Sequence, residues 1–233
     1  MKFRVQSVLF DRFAGLSIGL VIARDIDNRN ADDRIPMLLR RTEAELRDRL
    51  TLQGLSDEPR ITAWRFAYAS FGAKPKKHLS SIEALCRTVL SGNEVRTIHP
   101  VVDIYNAVSL KHLLPVGGDD LDKVEGDIVL RLAAGGESFT ALNSVIPETP
   151  RPGEVIYSDD RGVLSRRWNW REANKTKMTE ETENVVLFTE GLPPANRDRV
   201  IEAAAELADM IRRFCGGDVR REVVDRAQTE IIL

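Results

Sequence analysis

The chain has 233 residues, with 34 Lys and Arg against 36 Asp and Glu and a net charge of −2. That balance argues against a protein that grips long nucleic acid by bulk electrostatics, though a local basic patch could still touch one end of an RNA. No run of about 18 uncharged apolar residues offers a spanning helix. The opening Met1-Lys2-Phe3-Arg4-Val5 lacks a secretory signal, and two cysteines, Cys86 and Cys215, build neither a disulfide framework nor a four-thiolate zinc site. A cytoplasmic protein with no membrane association, no DNA partner, no metal and no cofactor is expected.

In chain order, residues 3–10 alternate as a strand does, and residues 15–24 are apolar and rich in β-branched side chains, as a buried strand is. Asp25 to Asp33 reads as a polar turn. A helix is predicted from Ile35 to Leu50, with Leu39, Leu46 and Leu50 on one stripe. Residues 61–71 carry four aromatics and are expected in the core. Lys74-Pro75-Lys76-Lys77 is a basic loop, after which Ser80 or Ser81 caps a short helix ending at Leu90, with Glu83 in its first turn. Asp103 is expected to cap a helix running to Leu113, ended by Pro115-Val116-Gly117-Gly118. Strands are predicted at 127–132, 154–158, 162–170 and 184–190, with Asp159-Asp160-Arg161-Gly162 turning between two of them. Pro193-Pro194 opens a last helix striped by Val200, Ala204, Leu207, Ile211 and Phe214, and Gly216-Gly217 stops it. The tail alternates as a terminal strand. The sum is an α+β chain without the glycine-rich, zinc-protease or esterase signatures.

Four places can carry chemistry. Asn106 and Ser109, three apart on a helix, share a face and either orient a polar ligand or water, or bond nearby backbone. Gly117-Gly118, followed by Asp119, either bares backbone N–H groups toward an oxyanion or simply turns the chain. In Arg166-Arg167-Trp168-Asn169-Trp170-Arg171, a strand puts Arg167, Asn169 and Arg171 on one face, suited to phosphate or carboxylate. The alternative is arginines lying over buried tryptophans. Glu190, ending a strand, either accepts from a ligand or is solvated. The three histidines have no metal-ligand spacing, and the carboxylates show no evident acid/base pair.

Together these segments carry a resemblance. Val101-Val102-Asp103-Ile104-Tyr105-Asn106, Leu114-Pro115-Val116, Leu121 to Gly126, Asp127 to Arg131 and Gly136-Glu137 are similar to the tRNA-editing (B3/B4) module of the phenylalanyl-tRNA synthetase beta subunit. Ala63-Trp64-Arg65, the diglycine and the Arg-Trp-Asn-Trp-Arg run resemble freestanding proteins built on that module. The resemblance implies a three-layer B3/B4-type α+β fold with a β-sandwich component and packed helices. It implies one domain over 1–233: an N-terminal extension (1–96), a core (97–192) and a C-terminal helix and tail (193–233). In the synthetase the module hydrolyses phenylalanine tRNA mischarged with tyrosine, and Asn106 matches its pocket asparagine. Gly117-Gly118 replaces a histidine-alanine pair, Phe188 stands nearest the tyrosine-reading glutamate with Glu190 on the same strand face, and Arg166 to Arg171 replaces a small-residue loop. Tyrosine specificity is therefore not carried over.

The implied activity is trans-editing, hydrolysis of a mischarged aminoacyl-tRNA ester with the tRNA acceptor end as partner. Asn106, Ser109, Gly117 and Gly118 would be catalytic, with Arg167, Asn169, Arg171, Asp119 and Glu190 binding substrate. A non-catalytic RNA-binding module and a binder or hydrolase of small amino-acid derivatives are the alternatives.

Overall fold

In the computed structural model, which describes residues 1–29 and 32–233, two sheets face each other and helices cover one outer side. Strands β1 (Lys2–Val5), β4 (Ile128–Leu132), β7 (Val155–Ser158), β8 (Val163–Arg166), β9 (Arg171–Glu172) and β12 (Glu230–Ile232) form a six-stranded sheet in the order β12-β1-β4-β7-β8-β9. Its β1–β4 pair is parallel. Strands β2 (Ser17–Arg24), β3 (Val116–Asp120), β10 (Val185–Gly191) and β11 (Asp218–Val224) form an antiparallel sheet in the order β11-β2-β10-β3. The short hairpin β5 (Phe139–Thr140) and β6 (Pro147–Glu148) is a separate ladder packed beside β8 and β9, where Val163 N–H donates to Ser138 O.

Strand parity explains the layering. Ile18, Leu20 and Ile22 of β2 and Val186 and Phe188 of β10 point toward Phe3, Leu130 and Tyr157 of the other sheet. Val21, Ala23, Val185 and Leu187 point the opposite way, onto α5 (Pro100–His112) and α6 (Arg197–Cys215). The two central strands, β2 and β10, are dry on both faces and so read as nearly unbroken apolar runs, whereas the edge strands β3 and β11 do not. Helices α2 (Arg34–Arg49), α3 (Pro59–Ser70) and α4 (Ser81–Leu90) add Leu39, Trp64, Tyr68 and Cys86 to the inter-sheet core. This is the sandwich-with-helices arrangement the resemblance implies. Among the described residues no helix is long and apolar enough to cross a membrane.

Several boundaries differ from the sequence reading. The 3–10 segment splits at Gln6 into β1 and a one-turn helix α1 (Ser7–Arg12), because Gln6 N–H bonds Leu130 O and the chain then turns under the sheet. Residues 30 and 31 of the predicted polar turn lie outside the described residues. The aromatic run at 61–71 is helical, burying Trp64 and Tyr68 while leaving Phe66 exposed. Ser80 caps α4, accepting from Glu83 N–H, and the Glu83 carboxylate then anchors Arg65 and Arg87. Asp103 does not cap α5. The helix starts at Pro100, and Asp103 bonds back to Ile98 N–H at 2.9 Å. Asn196, after the proline pair, caps α6, and the tail makes two strands rather than one.

Candidate active site

Glycines 117 and 118 are not a loop but the middle of β3, the edge strand beside β10. Glu190 N–H donates to Pro115 O on the β10 side, whereas Asp120 N–H donates to Thr176 O on the other. Antiparallel ladders alternate these directions. Gly117 N–H therefore points into the ladder with Phe188, and Gly118 N–H points out of the sheet edge. Of the two expected oxyanion donors, only Gly118 is free of the ladder.

The closeness of β10 explains Gly118. A Cβ on Gly118 would stand 2.2 Å from Val186 O and 3.0 Å from Leu187 Cα; one on Gly117 would meet only Glu172 Oε1, at 3.0 Å. Gly118→Ala is thus expected to cost about 3 kcal/mol in chemical denaturation, since backbone must yield. Gly117→Ala should cost under about 1 kcal/mol, because only the far end of a side chain must move.

Gly118, Asp119 and Glu172 line two cavities. The outer, of about 290 Å³, lies against Val102 and Tyr105 of α5, with Leu142, Thr176 and Met178 opposite. The inner, of about 20 Å³, has room for about one water and is walled by Tyr157, Trp168, Asn169, Phe188 and Glu190. Three carboxylates, Asp119, Glu172 and Glu190, therefore converge where the sequence showed no acid/base pair.

Each is held differently. Asp119 accepts from Thr176 Oγ1 at 2.6 Å. Burial pushes it up to about 7 against the lowering effect of that bond. Glu190 accepts from Tyr157 OH at 2.5 Å, Trp168 Nε1 at 2.6 Å and Asn169 Nδ2 at 2.6 Å. Burial still raises it to about 7, against all three donors. Glu172 is raised well above the usual range by burial and then by the Asp119 charge. Among the described residues, no group of His, Cys, Asp and Glu is arranged to hold a metal ion.

These shifts have a consequence for stability. Unfolded, Asp119 and Glu190 titrate near about 4. Their folded values of about 7 mean that their contribution is complete below about pH 4 and lost as pH rises through about 7. Glu206, bonded to His112 and Lys111, is lowered to about 2, so its contribution is lost only as pH falls toward that value. Denaturation midpoints are therefore expected to decline from pH 5 to pH 8, and Glu190→Gln should flatten that decline.

The remaining predicted residues sort unequally. Asn169 reaches the inner cavity, with Tyr68 OH donating to its Oδ1 at 2.8 Å. Residues 162–170 are not one strand: β8 ends at Arg166, and Arg167 and Trp168 have φ of 50° and 66°. Alternation fails in that turn, so Trp168 and Asn169 both face Glu190 while Arg167 enters a separate basic pocket. Arg171 is exposed, its guanidinium 4.4 Å from the Trp170 ring. Asn106 and Ser109 are buried on α5 and line neither cavity. Ser109 Oγ donates to Leu114 O at 2.6 Å, closing the helix end where Leu113 is left-handed. Glu172 and Thr176 are among the site residues the sequence reading did not single out. Their only signal was position just beyond the Arg-Trp-Asn-Trp-Arg run.

A family model described as the B3/4 domain matches residues 63–230, most of the chain and wider on both sides than the expected 97–192 core. The chain belongs to the B3/4 domain family. This B3/4 chain is 30% identical over 156 residues to the phenylalanine–tRNA ligase beta subunit of Ruegeria pomeroyi, a match covering 56% of this chain and 19% of that protein. The corresponding subunit of Fusobacterium nucleatum is 28% identical over 152 residues, covering 55% and 19%. The B3/4 chain thus aligns with about a fifth of the length of these relatives. An N-terminal fragment of the phenylalanyl-tRNA synthetase beta subunit from Pyrococcus horikoshii superposes with a TM-score of 0.50 at 14% identity, over 94% of this chain and 50% of the fragment. At that identity the likeness speaks for the fold.

Proposed function

We propose that this chain hydrolyses the ester of a mischarged aminoacyl-tRNA, binding the tRNA acceptor end as a trans-editing factor. The observation that carries the reading is the one-water niche, walled by three carboxylates and sharing Gly118, Asp119 and Glu172 with a 290 Å³ cleft. A water in the niche attacks the ester carbonyl carbon. Its proton passes to whichever of Asp119 and Glu172 is ionised, both carboxyls being raised by burial and Glu172 further by the Asp119 charge. The carbonyl oxygen takes up negative charge facing Gly118 N–H. Collapse breaks the ester bond, and the ribose oxygen leaves with the proton returned from the pair. The products are the free amino acid and the uncharged tRNA. A carboxylate-lined cleft also suits the substrate's α-ammonium group. In this reading Arg171, exposed near Asn169, meets the acceptor strand. Asn106 and Ser109 serve this site by fixing α5, whose Val102 and Tyr105 form the cleft wall.

The test is a panel of mischarged tRNAs with the matching free amino-acid esters. Accelerated loss of at least one aminoacyl-tRNA is expected. Equal cleavage of the free ester would place the specificity in the amino acid alone, and no acceleration with any substrate would overturn the reading.

A further inference from the structure

Across the Arg167–Trp170 turn from the acidic niche lies a pocket of opposite character. Its volume is about 200 Å³, below the range that holds a drug-sized ligand and suited to one compact group. Lys74, Lys77, His78, Arg151 and Arg167 line it, and Glu154 is its single acid. That acid is already engaged. Glu154 takes a two-pronged bond from Arg166, at 2.9 and 3.1 Å, and a third bond from Arg167 N–H at 3.1 Å. Arg166 is shared with Glu148, at 2.7 Å, and Arg167 Nε stands 3.9 Å from Glu154 Oε2, so the two arginines offset the two carboxylates and the surplus positive charge of the pocket comes from Lys74, Lys77 and Arg151. Among the described residues, none of Lys74, Lys77 and Arg151 is in an ion pair.

Two nitrogens of the lining side chains are unsatisfied. Arg167 Nη1 and His78 Nδ1 are both buried without a hydrogen-bond partner. Such groups are costly to leave unpaired unless something meets them. Both side chains are also held in place. The Arg167 guanidinium lies 4.3 Å from the Trp170 ring centre, and His78 packs edge-on against the same ring at 4.7 Å. The left-handed backbone at Arg167 turns its side chain here while sending Trp168 the other way. A cationic hollow whose Arg167 and His78 are already held against Trp170 is preorganised for an anion.

We propose that this pocket binds a phosphate group, carried either by a small phosphate compound or by the end of an RNA. A tetrahedral, doubly charged group can accept from Arg167, His78 and the lysines together. A planar monoanionic carboxylate meets fewer of them. The inference does not rest on the hydrolytic reading, because no ester need be cleaved for it to hold.

The test titrates the full chain with inorganic phosphate and follows thermal stability, with chloride and acetate at matched ionic strength as references. A saturable rise with phosphate alone is expected. Arg167→Gln should weaken it about tenfold or more, the loss of a charged hydrogen bond. Lys74→Gln/Lys77→Gln, both exposed and outside the core, should weaken it without lowering the starting melting point. A short acceptor-stem RNA is then compared with and without its 5′-phosphate. Phosphate-dependent binding that inorganic phosphate competes away assigns the pocket to an RNA end, whereas equal binding of the two RNAs alongside a retained phosphate response assigns it to a small phosphate compound. No saturable response to phosphate, or an undiminished one in both variants, overturns the proposal. Deacylation is measured separately on the unsubstituted chain, so absence of any phosphate response there with hydrolysis intact sinks this inference alone.

Discussion

Asp119→Asn and Glu172→Gln are each expected to slow deacylation at neutral pH by about 100-fold or more, the scale of a lost general acid–base group. The double variant should be little slower than either single one, since the two carboxylates share one task. The same substitutions should leave the protein as stable as before, or more so above pH 7. Both carboxyls are raised by burial, so ionising them costs folding free energy that an uncharged amide does not. A merely structural pair would behave the other way, with stability falling and activity following it down. Asp119→Asn keeps an acceptor for Thr176 Oγ1, and Glu172→Gln preserves shape beside Gly117. Rates on a mischarged tRNA, with urea denaturation at pH 6 and pH 8, separate the two outcomes. Activity within threefold of wild type in the double variant would remove the pair from the mechanism.

Gly118 ties this chemistry to the fold. The strand that offers its N–H at the sheet edge also carries Asp119 one residue later. The Val186 carbonyl, close enough to forbid a side chain on Gly118, holds that strand tight against β10. Position and chemistry thus come from one feature, the absence of a methyl group at Gly118 on the edge strand.

Much of the fold was legible because it follows from periodicity. The runs at 15–24 and 184–190 are apolar on both faces, and both prove to be sheet strands covered on both sides. The stripe from Val200 to Phe214 is α6. What resisted reading was tertiary. Whether Gly117-Gly118 ends a helix or continues as a strand depends on β10, more than 60 positions later in the chain. The acid cluster gathers residues 119, 172 and 190 from an edge strand, a two-residue strand and a central strand end. No spacing in sequence joins those. Arg167 and Trp168 adopt left-handed backbone although neither is glycine, so alternation was the wrong rule in that turn.

That turn yields the largest stability effect. Trp168 is fully buried, its ring 4.9 Å from Trp64 and 4.8 Å from Phe13, and its Nε1–H bonds Glu190. Trp168→Ala should cost about 3–5 kcal/mol in urea denaturation, the range for emptying a large aromatic site. Trp168→Phe retains ring packing but removes one of the three donors to Glu190, and about 1–3 kcal/mol should be lost. The backbone supplies an independent check. At φ of 66° a side chain strains the chain where glycine does not. Trp168→Gly should therefore be no less stable than Trp168→Ala, although glycine loses more entropy on folding and is usually the worse choice. If the glycine variant is the weaker by about 1 kcal/mol, the usual penalty, then the left-handed turn is not what aims Trp168 and Asn169 at Glu190, and packing against Trp64 and Phe13 must hold the segment instead.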